Sequence, residues 1–263
     1  MKRFFLLLLC LALFHIGFSQ DIWRHGRLKV SPNGHYLEHE DGTPFFWLGD
    51  TAWELFQRLR LEEISTYLGN RQKKGFNVIQ SVIIPSDGGL KVPNQYGEFP
   101  LANKNPDHPN EKYFALIDTV VKLALEKNMV MALLPAWGDK VTTMKYGGSG
   151  PVIFNADNAY RFGLFLGKRY RQYPNIVWVL GGDHPAYNES NDWRPVYRAM
   201  AKGIEEGTGK PVLISFHPGG IMWESALQVH HEKWLDFNMI QSGHSEVDQP
   251  VWETVARDWR LTP

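Results

Sequence analysis

Six short apolar runs, alternating with longer segments of helical periodicity, constrain this chain more than its composition does. The runs are 45–48, 76–82, 129–134, 176–180, 212–215 and 237–240, and the helical segments are 61–74, 112–128, 155–173, 195–206 and 250–259. Strands buried on both faces read as unbroken apolar stretches. Strand–helix repetition pairs such strands in parallel beneath a layer of helices. The helical segments carry their own signals. Phe114, Ile117, Val121 and Leu125 share one face of their helix, Gly75 and Pro174-Asn175 act as stops, and Pro250 opens the last segment.

Two architectures use parallel strands in this way. A doubly wound sheet would carry a Gly-rich phosphate loop after its first strand, whereas here that strand runs into Gly49-Asp50-Thr51. The runs also end in polar or aromatic residues, as barrel strands do where they build a site. The sequence therefore predicts an α/β fold, a (β/α)8 TIM barrel. Closure takes about eight strands. Six are legible before Pro263, so the expectation is a barrel interrupted at its C-terminal side after about six βα units. Ahead of it, Leu28-Lys29-Val30, the Asn33-Gly34 turn, Tyr36-Leu37 and the Asp41-Gly42 turn predict a β-hairpin that caps the N-terminal end.

The first nineteen residues read differently. Lys2 and Arg3 precede an apolar stretch over 4–14, and Gly17 and Ser19 supply the small residues a signal peptidase requires. This predicts a signal peptide over 1–19, a mature chain from Gln20 and export to the periplasm or beyond. The stretch is too short for stable membrane insertion, and Leu9 is too large for a lipoprotein site at Cys10. Cys10 is the only cysteine, so the mature chain forms no disulfide of its own. The 28 basic and 28 acidic residues balance, which leaves no electrostatic footprint for nucleic acid or an anionic membrane. Ten tryptophans suit a carbohydrate site, where aromatic faces stack on sugar rings, and equally suit the core of a large barrel.

The strand ends gather the chemistry. They offer Asp50 and Trp53, Gln80, Trp137 and Asp139, Asp183 and His184, His217, and then Gln241 and His244. Such a set bonds sugar hydroxyls, stacks a ring and protonates a glycosidic oxygen. Asp183 stands out. It follows an apolar strand and Gly181-Gly182, a half-desolvated setting in which a carboxyl serves as a general acid. The alternative is an Asp that caps the next loop. His217 and His244 end neighbouring runs, but there is no His-x-His pair on the first strand and no His-Glu-x-x-His helix, so neither a metal nor a cofactor is predicted. His230-His231 falls between elements and reads as surface.

Five separated segments carry a resemblance. They are Trp47-Leu48-Gly49-Asp50-Thr51-Ala52-Trp53, Gly75-Phe76-Asn77-Val78-Ile79-Gln80, the run from Pro174 through Gly181-Gly182-Asp183, Ser215-Phe216-His217-Pro218, and Asp236-Phe237-Asn238-Met239-Ile240-Gln241-Ser242-Gly243-His244. Together they resemble the apiosidase-like family of glycoside hydrolases over nearly the whole mature chain. The resemblance implies bacterial breakdown of plant cell-wall pectin, including release of apiose from rhamnogalacturonan side chains. It implies a retaining mechanism, with an Asp as acid/base and a Glu as nucleophile. Asp183 matches the acid/base position. The nucleophile is expected on the seventh strand, beyond residue 263. Within the chain the candidates for a partner carboxylate are Asp50, Asp139, Glu224 and Glu246. Two functions follow: a retaining glycosidase acting on an oligosaccharide or polysaccharide, or a non-catalytic or decayed carbohydrate-binding fragment.

Overall fold

The computed structural model describes residues 21–86, 88–142, 150–219, 223–242 and 250–261. The expected signal peptide, His244 and Glu246 lie outside the described residues. The chain begins with a three-stranded antiparallel sheet, β1 (Leu28–Val30), β2 (Leu37–His39) and β3 (Pro44–Phe45). A five-stranded parallel sheet follows, with β4 (Gly49–Thr51), β5 (Val78–Val82), β6 (Val130–Leu134), β7 (Ile176–Gly181) and β8 (Ile214–His217) in that order. Every neighbour in the sheet is also the neighbour in sequence. A doubly wound sheet reverses direction at its switch point; this one does not. The helices are α1 (Leu55–Arg58), α2 (Leu61–Lys73), α3 (Glu111–Glu126), α4 (Ala156–Tyr170), α5 (Arg194–Thr208), α6 (Ser225–Val229) and α7 (Val251–Asp258). Their ends follow local chemistry. The Asn110 side chain accepts the Lys112 amide at the start of α3, Asn155 and Asn158 form a reciprocal cap on α4, and left-handed Gly209 ends α5.

Strand register sorts the residues into two cores. Val78 pairs with Val130, Ala132 with Val177, and Val82 with Leu134, and these side chains face the barrel interior together with Val179 and Leu213. Leu28, Val30, Leu37 and Phe45 of the antiparallel sheet close that interior at its N-terminal end, as a cap should. The alternate residues, Ile79, Met131, Leu133, Trp178 and Ile214, face outward and pack under the helices. Helices α4 and α5 approach closely because glycines at i, i+4 spacing face each other. A Cβ on Gly167 would strike the Ile204 carbonyl, and one on Gly203 would strike that of Tyr160. The sheet curls toward closure: Trp47, just ahead of β4, meets Phe237, which follows β8, at 5.8 Å between ring centroids.

Two strand expectations need correction. The run 45–48 is not a buried barrel strand. Phe45 belongs to the antiparallel cap, Phe46 is 78% exposed, and the first barrel strand is the three residues of β4. Asn77 sets this break, since its side chain donates to the Phe46 carbonyl and accepts the Leu48 amide. The run 237–240 is not a regular sixth strand either. Phe237 forms a single parallel bridge to Ser215, whose hydroxyl bonds its carbonyl. The chain then turns to antiparallel bonds with the segment before α6: Ser225 N–H to Met239 O, and Gln241 N–H to Trp223 O. Among the described residues the barrel thus has five parallel strands and one bridged segment.

Candidate active site

The C-terminal rim is built where β7 ends. Gly181, Gly182 and Asp183 have φ of +86°, +110° and +55°, three consecutive residues with positive φ. Glycine is required twice over. A Cβ on Gly181 would strike the His217 carbonyl, and one on Gly182 would lie 2.9 Å from the Trp137 indole. Asp183 adopts the left-handed region with a side chain in place, at a cost of about 1 kcal/mol. Such a corner is kept only when its surroundings hold it. Here Gly182 N–H donates to the His217 carbonyl, Gly138 N–H donates to the Gly182 carbonyl, and Gly219 leaves no room for a Cβ against the Asp183 backbone.

Around this corner stand three rings. His217 is level with Gly181 in register and therefore faces inward. Trp53 and Trp137 come from the segments after β4 and β6. Both are tied to β5 or its extension: Val82 N–H donates to Trp53 O, and Trp137 N–H donates to Ile84 O. The ring centroids are 5.2 Å apart for Trp53–Trp137, 5.2 Å for Trp53–His217 and 5.6 Å for Trp137–His217. Asp183 Oδ1 lies 3.7 Å from His217 Nδ1 and is buried without a hydrogen-bond partner. Burial lowers the proton affinity of His217 below its ordinary value, and the Asp183 carboxylate partly offsets this. Gln80 lies deeper, in register with Thr51 and Ala132, and its buried Oε1 also has no hydrogen-bond partner. A carboxyl, an imidazole and two indoles grouped at one strand end are groups suited to bonding sugar hydroxyls and stacking a ring.

A model of the apiosidase-like catalytic domain matches residues 31–263. The chain belongs to this family. A glycoside hydrolase family 5 structure from Bacteroides vulgatus ATCC 8482 is 34% identical with a TM-score of 0.72, over 84% of this chain and 46% of that one. A second solved structure, named glycoside hydrolase, is 32% identical with a TM-score of 0.78, over 92% of this chain and 55% of that one. A family 5 mannosidase from Rhizomucor miehei shares the fold, at 15% identity and a TM-score of 0.56, over 80% of this chain and 60% of that one. The chain spans about half the length of the first two structures. No curated protein matches it.

In this apiosidase-like domain, Trp53, Trp137, Asp183 and His217 come together at the rim, with Gln80 beneath. Other expected residues are placed elsewhere. Asp50 pairs with Ile79, an outward position, and faces α2, where the Tyr67 hydroxyl donates to it at 2.9 Å and Arg71 pairs with it. Burial and this carboxylate push the Tyr67 hydroxyl up to about 12. His184 is fully buried and hydrogen-bonds Thr142 on the far side of the corner. Gln241 sits beside Trp223, with its Oε1 buried and without a hydrogen-bond partner. His244 lies outside the described residues. The carboxylates weighed as partners for Asp183 are also engaged. Asp139 is buried against Lys140 at 2.8 Å and accepts the Gly150 amide, while Lys140 also bonds the carbonyls of Ser86 and Gly150. Glu224 is buried and pairs with Arg257 of α7, with the Thr254 hydroxyl on its other oxygen. Glu246 lies outside the described residues. Among the described residues no group of three His, Cys, Asp or Glu side chains is placed to hold a metal, and no helix is long and apolar enough to cross a membrane.

Sequence reading missed the Asp139–Lys140 pair and the close approach of Gly138 and Gly219. A buried ion pair within one loop leaves no periodic signal. The two glycines had a faint one, since each stands directly after or near a strand-end aromatic or imidazole residue, Trp137 and His217.

Proposed function

We propose that this chain is a glycoside hydrolase domain that acts on pectic side chains of the plant cell wall by a retaining mechanism, with Asp183 as acid/base. The observation that carries it is the Asp183 carboxyl at the end of β7, with one buried oxygen that has no hydrogen-bond partner, held in a left-handed corner beside His217, whose ring contacts the Trp53 and Trp137 indoles. Trp53, which is only partly buried, offers the face on which a sugar ring stacks, whereas Trp137 is buried behind it. Asp183 gives its proton to the departing alcohol as the nucleophile carboxylate bonds to the anomeric carbon, and the Asp183 carboxylate then takes a proton from the water that displaces the nucleophile. A retaining pair stands about 5–5.5 Å apart. Asp50, Asp139 and Glu224 have other partners, which supports a Glu nucleophile supplied beyond residue 263, where the family resemblance puts it. In this reading the signal peptide exports the domain to the periplasm or beyond.

The same engagement of Asp50, Asp139 and Glu224 favours a second reading for these 263 residues by themselves: a cleft that binds carbohydrate without cleaving it. The test is release of apiose or other sugars from pectic oligosaccharides by purified residues 20–263 and by a form extended through the downstream codons. The extended form is expected to hydrolyse and the shorter one only to bind. Robust turnover by residues 20–263 would place the partner of Asp183 inside the chain, with Glu246 the first residue to replace.

A further inference from the structure

We propose that His217 is a positioning residue that acts through Asp183: its Nδ1 accepts the Asp183 amide proton, which fixes the imidazole as the Nε2–H tautomer and holds the Gly-Gly-Asp corner in place. This role presupposes Asp183 as the acid/base, but reading it requires no turnover. The Asp183 amide donates to His217 Nδ1 over a long 3.4 Å, while Gly182 N–H donates to the His217 carbonyl at 3.0 Å. The corner is thus bonded to one residue twice, by side chain and by main chain. A ring nitrogen that accepts an N–H cannot hold a proton, so the tautomer follows from the bond.

The imidazole has little freedom to do otherwise. Trp53 meets it edge-on at 87°, and Trp137 lies at 45° to it. Both indoles are uncharged. Among the described residues, the ionisable group that faces the imidazole is Asp183. Burial favours the neutral ring more than Asp183 favours the charged one. Asp183 therefore has a neutral hydrogen-bond acceptor for a neighbour instead of a cation. Its own positive φ, which would otherwise be free to relax, is tied to a strand end.

The test uses the 263-residue chain labelled with 15N. Two-bond correlations within the imidazole rings report the tautomer, and His217→Asn identifies the His217 signals. The expected pattern is an unprotonated Nδ1 and a protonated Nε2, with the neutral form still predominant at about pH 6.5, where a free histidine is half charged. An Nδ1–H tautomer, or imidazolium at that pH, would overturn the role. Asparagine puts an amide oxygen where Nδ1 stood. His217→Asn should therefore keep hydrogen exchange at the Asp183 amide near its native rate, and His217→Ala should speed it by about 10-fold. The amides of Val179 and Leu180 should not change. Equal exchange in the two variants, or loss of protection along the whole of β7, would contradict it. If His217→Ala does not fold, the tautomer of the native protein and the Asn variant still decide. Failure of the acid/base reading shows separately, in substrate dependence at Asp183.

Discussion

The two ends of the barrel strands obey different rules. At the N-terminal end, Val78, Val130 and Val177 meet Leu28, Val30, Leu37 and Phe45, and every side chain has only to bury apolar surface. At the C-terminal end of the same strands the backbone turns left-handed, a carboxyl oxygen lacks a hydrogen-bond partner, and a histidine is buried beside it. One end tolerates apolar residues of the right volume. The other depends on glycines that no side chain can replace, at Gly181, Gly182 and Gly219. Stability and chemistry are thus separated by the length of a strand.

Substitutions break or sharpen that contrast. Leu134→Ala empties a fully buried interior position and should destabilise the domain by about 2–5 kcal/mol. Denaturant unfolding measures this, and sugar binding by the folded fraction should stay unchanged. Gly167→Leu forces α4 from α5 and should cost about 1–3 kcal/mol, again with an intact rim. Tyr67→Phe removes a single bond to Asp50 and should cost about 1 kcal/mol. If Asp50 instead contacts substrate, this variant and Asp50→Asn would weaken binding of a pectic oligosaccharide, and calorimetry would detect it.

The smallest effect is in pH dependence. His217 binds its proton less readily in the folded chain than in the unfolded one. The unfolded state therefore takes up more protons as pH falls below about 6.5, and folding loses stability there. His217→Asn removes that part of the slope. Unfolding curves at pH 7.5 and 5.5 should differ less for the variant than for the native chain. An unchanged difference would mean that His217 titrates alike in both states.

Much of the barrel was legible because the apolar runs at 129–134 and 176–180 are flanked by strands on both sides, and such runs have one stable arrangement. The run 237–240 is apolar apart from Asn238 but bonds to β8 through one residue, since Trp223 and Ser225 offer backbone partners instead. Composition could not report that competition. Asp50 was misplaced by phase. Side chains alternate along a strand, so once Gly49 and Thr51 face inward Asp50 must face α2, and treating 45–48 as the strand hid this. The Gly-Gly-Asp corner was the clearest local signal, because two glycines before an acid at a strand end have few other uses. His184 could not be separated from Asp183 in sequence, although the turn sends the two side chains to opposite sides.

Asp183 as the acid/base is tested most directly by leaving-group dependence in the form of the protein that turns over glycosides. Asp183→Ala should lower kcat/KM for a sugar-linked substrate by about 10²–10⁴-fold, because the departing alcohol then leaves unprotonated. For an activated aryl glycoside, whose leaving group needs little protonation, the first step should be nearly spared. Equal losses on the two substrates would contradict the assignment and make Asp183 a binding residue.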